Sequence, residues 1–159
     1  MAKKDKKLNS MRLLDRAKVP YELLRFPEAI HSADGVADHL GLAREQVYKT
    51  LVVERPAGGK WLLVMVAAGR ELDLKKLALS LDEKKLSMAR HAEAEQLTGL
   101  QVGGISALAL LNRGFRICLD RPALEQERIV VSAGRRGINI KLATSDLLRV
   151  TGAELVDAS

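Results

Sequence analysis

The sequence predicts an α+β fold built on a mixed, largely antiparallel β-sheet, and three observations carry that reading. Two pairs of apolar, β-branched runs, 47–53 with 61–66 and 128–132 with 138–142, are each separated by a glycine-bearing reversal, as in hairpins. Short helical stretches are scattered among the strands instead of alternating with them one for one, which argues against a doubly wound parallel sheet. No fixed-period repeat or internal boundary interrupts the 159 residues, a length that suits one domain over 1–159, with 1–7 as a loose, lysine-rich tail.

The elements follow in chain order. Asn9 or Ser10 is placed to cap a first helix that runs to about Lys18, burying Met11, Leu13, Leu14 and Ala17, with Val19-Pro20 as its stop. Tyr21 to Phe26 alternates as a strand does and ends at Pro27. Ser32 is a cap for a short helix closed by Gly41. The strand runs 47–53 and 61–66 flank the reversal at 55–59. Asp73 caps a helix over 74–79, 85–88 is a short strand, and 91–97 is a helix ended by Gly99. A loop of small residues over 102–108 leads to a strand at 115–119, a turn at 120–122 and a strand at 128–132. A turn over 133–137 connects to a strand at 138–142, and Thr144 caps a last helix over 146–150 that Gly152 ends.

Composition narrows the function. The chain is 47% hydrophobic and 29% charged, so it is globular, and with only 3% aromatics its core must be aliphatic. The net charge of +6 favours a polyanionic partner such as RNA. No apolar run reaches a membrane span of roughly 20 residues, and the basic N-terminus has no apolar segment behind it, so a cytoplasmic location is expected. The single cysteine, Cys118, excludes an internal disulfide and sits in a strand-like run, where a buried, inert thiol is expected. His31, His39 and His91 lack metal-ligand spacing, and no phosphate-binding loop or dinucleotide glycine triplet is present. Neither a metal nor a cofactor is therefore expected.

Three features remain. Lys49 lies inside an apolar strand, where its ammonium is either on a solvated face or serves a ligand. Gly103-Gly104 is either a plain flexible turn or a place where backbone N–H groups meet a carbonyl oxygen or phosphate. The turn over 132–137 carries Arg135 and Arg136, which are either solvated or in contact with an anion such as RNA backbone.

Read together and in order, Val47-Tyr48-Lys49-Thr50-Leu51-Val52, Glu71 to Leu77, Val102-Gly103-Gly104-Ile105-Ser106 and Val131 to Gly137 closely resemble the YbaK/EbsC family of aminoacyl-tRNA deacylases. This family is related to the editing domain inserted in bacterial prolyl-tRNA synthetases. The resemblance runs from about Asn9 to Gly152 and implies a barrel-like core flanked by short helices. It implies trans-editing of mischarged tRNA at the acceptor 3′ end, in the YbaK branch cysteine on proline tRNA, with prolyl-tRNA synthetase as a candidate partner. It assigns catalysis to Lys49 with Gly103 and Gly104, and substrate binding to Tyr21, Thr50, Ile105, Ser106, Ser132 and Gly134. RNA contacts fall to Arg135, Arg136, Lys3 and Lys4, with Lys6 and Lys7 beside them. In the YbaK type the substrate's own thiol attacks its ester. Relatives often carry a phenylalanine-glycine pair where this chain has His31 to Gly35, so the pocket wall differs there. Editing of another ester, such as alanyl-tRNA(Pro), and a non-catalytic tRNA- or synthetase-binding module stand as alternatives.

Overall fold

The computed structural model describes residues 7–159. Lys3, Lys4 and Lys6, expected to contact RNA, lie outside the described residues. In chain order the elements are α1 (Asn9–Arg16), β1 (Tyr21–Arg25), α2 (Ala33–Leu40), β2 (Tyr48–Glu54), β3 (Leu62–Ala67), α3 (Leu74–Ser80) and β4 (Ser87–Met88). There follow α4 (His91–Thr98), β5 (Arg116–Asp120), β6 (Arg128–Arg135), β7 (Ile138–Ala143), α5 (Thr144–Thr151) and β8 (Glu154–Val156).

Two sheets form. The smaller is antiparallel in the order β1-β7-β6; the larger runs β4-β2-β3-β5-β8. Both predicted hairpins are present: β2 pairs β3 and β6 pairs β7, each antiparallel. The mixed character comes from β5, which joins β3 in parallel and is itself joined in parallel by β8, a strand not foreseen in the sequence. β3 explains why its run is apolar without alternation. It is the central strand of its sheet, and all six of its residues are buried.

Period-two alternation then divides the core. Leu63 and Met65 of β3 face the smaller sheet, where they join Ile129, Ile140, Leu142 and Leu147. Leu62, Val64 and Val66 face the other way, onto Leu77 and Ala78 of α3. A third cluster sets Val36 and Ala37 of α2 against Phe26, Val47 and Val130. Each fully buried leucine or isoleucine contributes about 1.5–3 kcal/mol through the area it removes from water. The sheets are stitched together by a parallel bridge between Val47 and Val130. No helix among the described residues is long and apolar enough to cross a membrane.

Several caps behave as the sequence predicts. The Ser32 hydroxyl accepts from Gly35 N–H, the Asp73 carboxylate from Lys76 N–H, and Gly41, Gly99 and Gly152 end α2, α4 and α5 in the left-handed region. Three expectations are corrected. Neither Asn9 nor Ser10 caps α1, because Ser10 is buried inside it and donates to the Ala133 carbonyl at 2.5 Å. Thr144 does not cap α5 from outside; it is the first helical residue, and its hydroxyl donates to the Gln126 carbonyl at 2.6 Å. The turn expected over 133–137 shrinks to Arg136-Gly137, because β6 continues through a bulge between Ser132 and Arg135.

Candidate active site

Past the bridge at Val47 and Val130 the strands β2 and β6 diverge, and the space between them is a cleft of about 280 Å³. Its wall on the larger sheet is the edge of β2. Ala68 N–H donates to the Val47 carbonyl at 2.7 Å, which sets the phase of the β2–β3 ladder. Val47, Lys49 and Leu51 therefore bond toward β3, and Tyr48, Thr50 and Val52 direct their backbone groups to the opposite edge. There the Val52 carbonyl accepts from Ala89 N–H at 3.1 Å. β4 covers only Val53 and Glu54, so the edge at Thr50 is left without a strand partner.

Five residues of β2, Tyr48 to Val52, line the cleft, and Lys49 and Thr50 among them carry polar groups toward it. Lys49 is half-buried, and its ammonium donates to the Arg70 carbonyl at 2.6 Å. Lys49 is thus tied by one hydrogen bond at the rim of the cleft, neither loose in solvent nor enclosed. One of its three N–H donors is fixed and two are spare. The Thr50 hydroxyl is buried with no hydrogen-bond partner, as is the hydroxyl of neighbouring Tyr48. Burial, reinforced by the negative charge of Asp120, pushes the Tyr48 phenol up to about 12, so it stays neutral. An unpaired buried hydroxyl costs about 1–3 kcal/mol, which sets this strand apart from the satisfied ladder around it.

The opposing wall comes from the smaller sheet. Ser132 of β6 and Asn139 of β7 face each other across the ladder, and both line the cleft. The Ser132 oxygen accepts from Gly134 N–H at 3.2 Å, which leaves its own proton to donate elsewhere. The apolar part of the lining includes Val36, Val52, Ala89, Ala94 and Ile105. The segment over 31–34 closes one side, with His31 and Asp34 in place of an aromatic.

The glycine loop is where expectation and structure diverge most. Gly104 N–H donates to the Gln101 carbonyl at 2.8 Å, closing a turn in which Gly103 takes φ +93°. A Cβ on Gly103 would lie 3.2 Å from the His31 carbonyl oxygen, and one on Gly104 would lie 2.8 Å from Arg136 N. The close approach the two glycines permit is thus to the protein's own backbone. Gly104 lies outside the cleft lining with its N–H committed, so it cannot hold an oxyanion. Among the described residues, the N–H groups of Gly103 and Ile105, which both line the cleft, have no backbone partner. The loop is held rigid by Arg136 Nε, which donates to the Val102 carbonyl at 2.7 Å, and by Glu95, which accepts from Val102 N–H at 2.9 Å. Arg136 is therefore an internal tie, and Arg135, the last residue of β6, is exposed.

Three more expected residues lie elsewhere. Ser106 is buried behind the loop with its hydroxyl accepting from Ala109 N–H, and a Cβ on Gly134 would meet Ala109 at 3.1 Å, so both serve packing. Tyr21 borders a separate depression beside Lys141 and Arg128 and donates to Asp15 at 3.0 Å. Lys7 pairs with the same Asp15 at 2.6 Å. Asn139 is absent from the sequence-based candidates, and its only signal is a polar residue between two isoleucines of an otherwise buried strand; Asp34 appears there only as part of the wall segment over 31–35. Among the described residues, no group of three or more His, Cys, Asp or Glu side chains is placed to hold a metal ion.

Comparison with known proteins fits this geometry. The profile of the aminoacyl-tRNA editing domain matches residues 27–150. A protein of Enterococcus faecalis named as a candidate Cys-tRNA(Pro)/Cys-tRNA(Cys) deacylase, EbsC, is 35% identical over 99% of this chain and 97% of its own length. An Escherichia coli K12 protein named multifunctional Ser/Thr-tRNA deacylase ProXp-y is 29% identical over 82% of this chain and 79% of its own. The crystal structure of a candidate trans-editing enzyme for prolyl-tRNA synthetase superposes with a TM-score of 0.80, covering 95% of this chain and 94% of that one at 23% identity, a likeness of fold. With most of its length matched by the profile and by a relative of this identity, the chain belongs to the aminoacyl-tRNA editing domain family.

Proposed function

We propose that this aminoacyl-tRNA deacylase prefers the cysteinyl ester of proline tRNA, and that the substrate's thiol is the attacking group. The observation that carries the reading is the uncovered edge of β2. It presents an ammonium with two spare donors and a threonine with an unpaired hydroxyl to a cleft large enough for an aminoacyl group. The single cysteine, Cys118, does not serve as a protein nucleophile. Cys118 is fully buried, and burial pushes its thiol up to about 12, far from the thiolate that attack requires.

In the proposed reaction the cysteine sulfur bonds to the ester carbonyl carbon, and the carbon–oxygen bond to the ribose breaks. The thiol proton ends on the departing ribose hydroxyl. The products are free tRNA and a cyclic thiolactone, which water later opens. The protein contributes position and electrostatics, each able to lower such a barrier by several kcal/mol. Lys49 stabilises charge developing on the carbonyl oxygen and anchors the terminal ribose, aided by the N–H groups of Gly103 and Ile105. Thr50 and Ser132 orient the aminoacyl end. Arg135 contacts phosphate, which adds affinity and little sequence information; tRNA choice then falls to a synthetase partner.

The supporting comparison is the relative named for cysteinyl-tRNA. A second reading, a hydroxy-amino-acid ester attacked by water, is favoured by the polar Ser132–Asn139 wall and by the relative named for Ser/Thr-tRNA. The test is a panel of cysteinyl, seryl and alanyl esters of proline tRNA incubated with purified protein, with small products separated by mass. Fast loss of the cysteinyl ester with a thiolactone product supports the first reading. Equal rates for the seryl and cysteinyl esters support water attack.

A further inference from the structure

We propose that Asp34 is a positioning residue that sets the place of Lys49 through the turn between β3 and α3. The inference rests on the reading of Lys49 as the group that acts on the ester. The Lys49 ammonium is held by one protein atom, the Arg70 carbonyl oxygen, at 2.6 Å. That carbonyl belongs to a turn closed by Arg70 N–H donating to the Ala67 carbonyl at 3.2 Å, with Gly69 at φ +80°. A glycine in this region has no Cβ to restrict it, so an external contact must fix the adjoining peptides. Asp34 supplies that contact: its Oδ1 accepts from Gly69 N–H at 2.6 Å.

The carboxylate is itself anchored. Its Oδ2 lies 3.4 Å from Arg44 Nη1, and Arg44 also bonds Asp38 from Nη2 at 2.9 Å. Arg44 packs along Gly69, 3.7 Å from where a Cβ would stand. Asp34 also lines the cleft. One carboxylate therefore links the wall over 31–34 to the ammonium across from it, and a displaced wall would move Lys49. A misplacement of about 1 Å can cost up to about 100-fold in rate.

The test uses full-length protein carrying Asp34→Ala, Asp34→Asn, Lys49→Ala or the pair Asp34→Ala/Lys49→Ala. Single-turnover deacylation is read on the best-cleaved ester of the panel, and the ¹³Cε resonance of Lys49 is recorded without substrate. Asp34→Ala is expected to slow the chemical step about 10- to 100-fold with KM nearly unchanged. Asp34→Asn, which keeps an oxygen acceptor for Gly69 N–H, recovers most of that loss. The double variant matches Lys49→Ala alone, because both changes act through one ammonium. Multiplicative losses in the double variant, or an Asp34→Ala rate equal to wild type, overturn the proposal. If Lys49→Ala retains full activity, the assigned role of Lys49 fails, and the resonance decides the linkage separately. It shifts in Asp34→Ala and returns in Asp34→Asn if Asp34 positions the ammonium, and stays put in both if it does not. Should Asp34→Ala fail to fold, Asp34→Ser, too short to reach Gly69 N–H, takes its place in every comparison.

Discussion

Lys49 inside β2 and Asp120 at the end of β5 are both charged residues on strands of the same sheet. The structure treats them differently. Asp120 is 1% exposed, and both oxygens are occupied: Oδ1 accepts from Ala158 N–H at 2.8 Å and Oδ2 from the Ser159 hydroxyl. At the Lys49 edge, two ammonium donors are spare and the Thr50 hydroxyl has no partner. A polar group whose valences are filled from within pins the fold; one left with spare valence beside a cleft is set for a ligand. This difference separates a stability site from a reactive one more reliably than residue type does.

The sharpest way to break the comparison is to truncate each member. Lys49→Ala is expected to slow deacylation by about 100-fold or more while thermal stability stays close to wild type, because the ammonium supports little else. Asp120→Ala should do the reverse. It strands two donors, costs about 2–4 kcal/mol measured by chemical denaturation, and leaves the deacylation rate of the folded fraction largely intact. Thr50→Val sharpens the point further. The isosteric methyl removes a hydroxyl that bonds nothing, so stability holds or rises by about 1 kcal/mol while deacylation falls about tenfold. Joint loss of stability and rate would place Thr50 with Asp120 among the pins.

Two buried groups of the larger sheet also have a pH signature. Cys118 titrates near 9.0 when exposed and about 12 in the fold, Tyr48 near 10.0 and about 12, both chiefly because burial disfavours the charged form. Folded pKa values raised in this way give stability that is complete below the unfolded values. It is lost as pH rises from about 9 toward 12, since the unfolded chain releases its protons first. Denaturation midpoints from pH 7 to 11 should therefore fall in the alkaline arm, and Cys118→Ala should make that fall shallower and move its onset toward 10. The smallest effect is expected at Arg135, exposed beside the cleft loop. Arg135→Ala should weaken tRNA binding a few-fold and reduce the slope of log affinity against log salt by about one contact, measured by filter binding.

Much of this was legible in the chain itself. Strand periodicity located both hairpins, and Ser32, Asp73 and the three terminal glycines marked helix ends because each acts through local hydrogen bonds. Lys49 stood out because an ammonium inside an apolar strand needs a reason. What sequence could not reveal depended on distant partners. Ser10 and Thr144 turned from caps into cross-links because carbonyls far away in the chain reach them. Gly104 reads locally as either a plain turn or a ligand-facing residue, because nothing local indicates that Arg136 packs on it. Tyr21 carries a family resemblance that says nothing of the Asp15 carboxylate that holds it away from the cleft. Asp34 lies in the wall segment over 31–35 that the resemblance marks, but its own role gives no local signal, because it arises only when α2 docks on the turn after β3.

The account stands on the cleft between β2 and β6 being the place where the acylated end of tRNA sits. The direct measurement is backbone amide NMR of the full chain titrated with an amide-linked 3′-cysteinyl adenosine, which cannot be cleaved. The account predicts shift changes gathered at Thr50, Gly103, Ile105 and Ser132, with Tyr21 and Lys141 unmoved. Changes centred on Tyr21, Arg128 and Lys141, or none at saturating analogue, would contradict it.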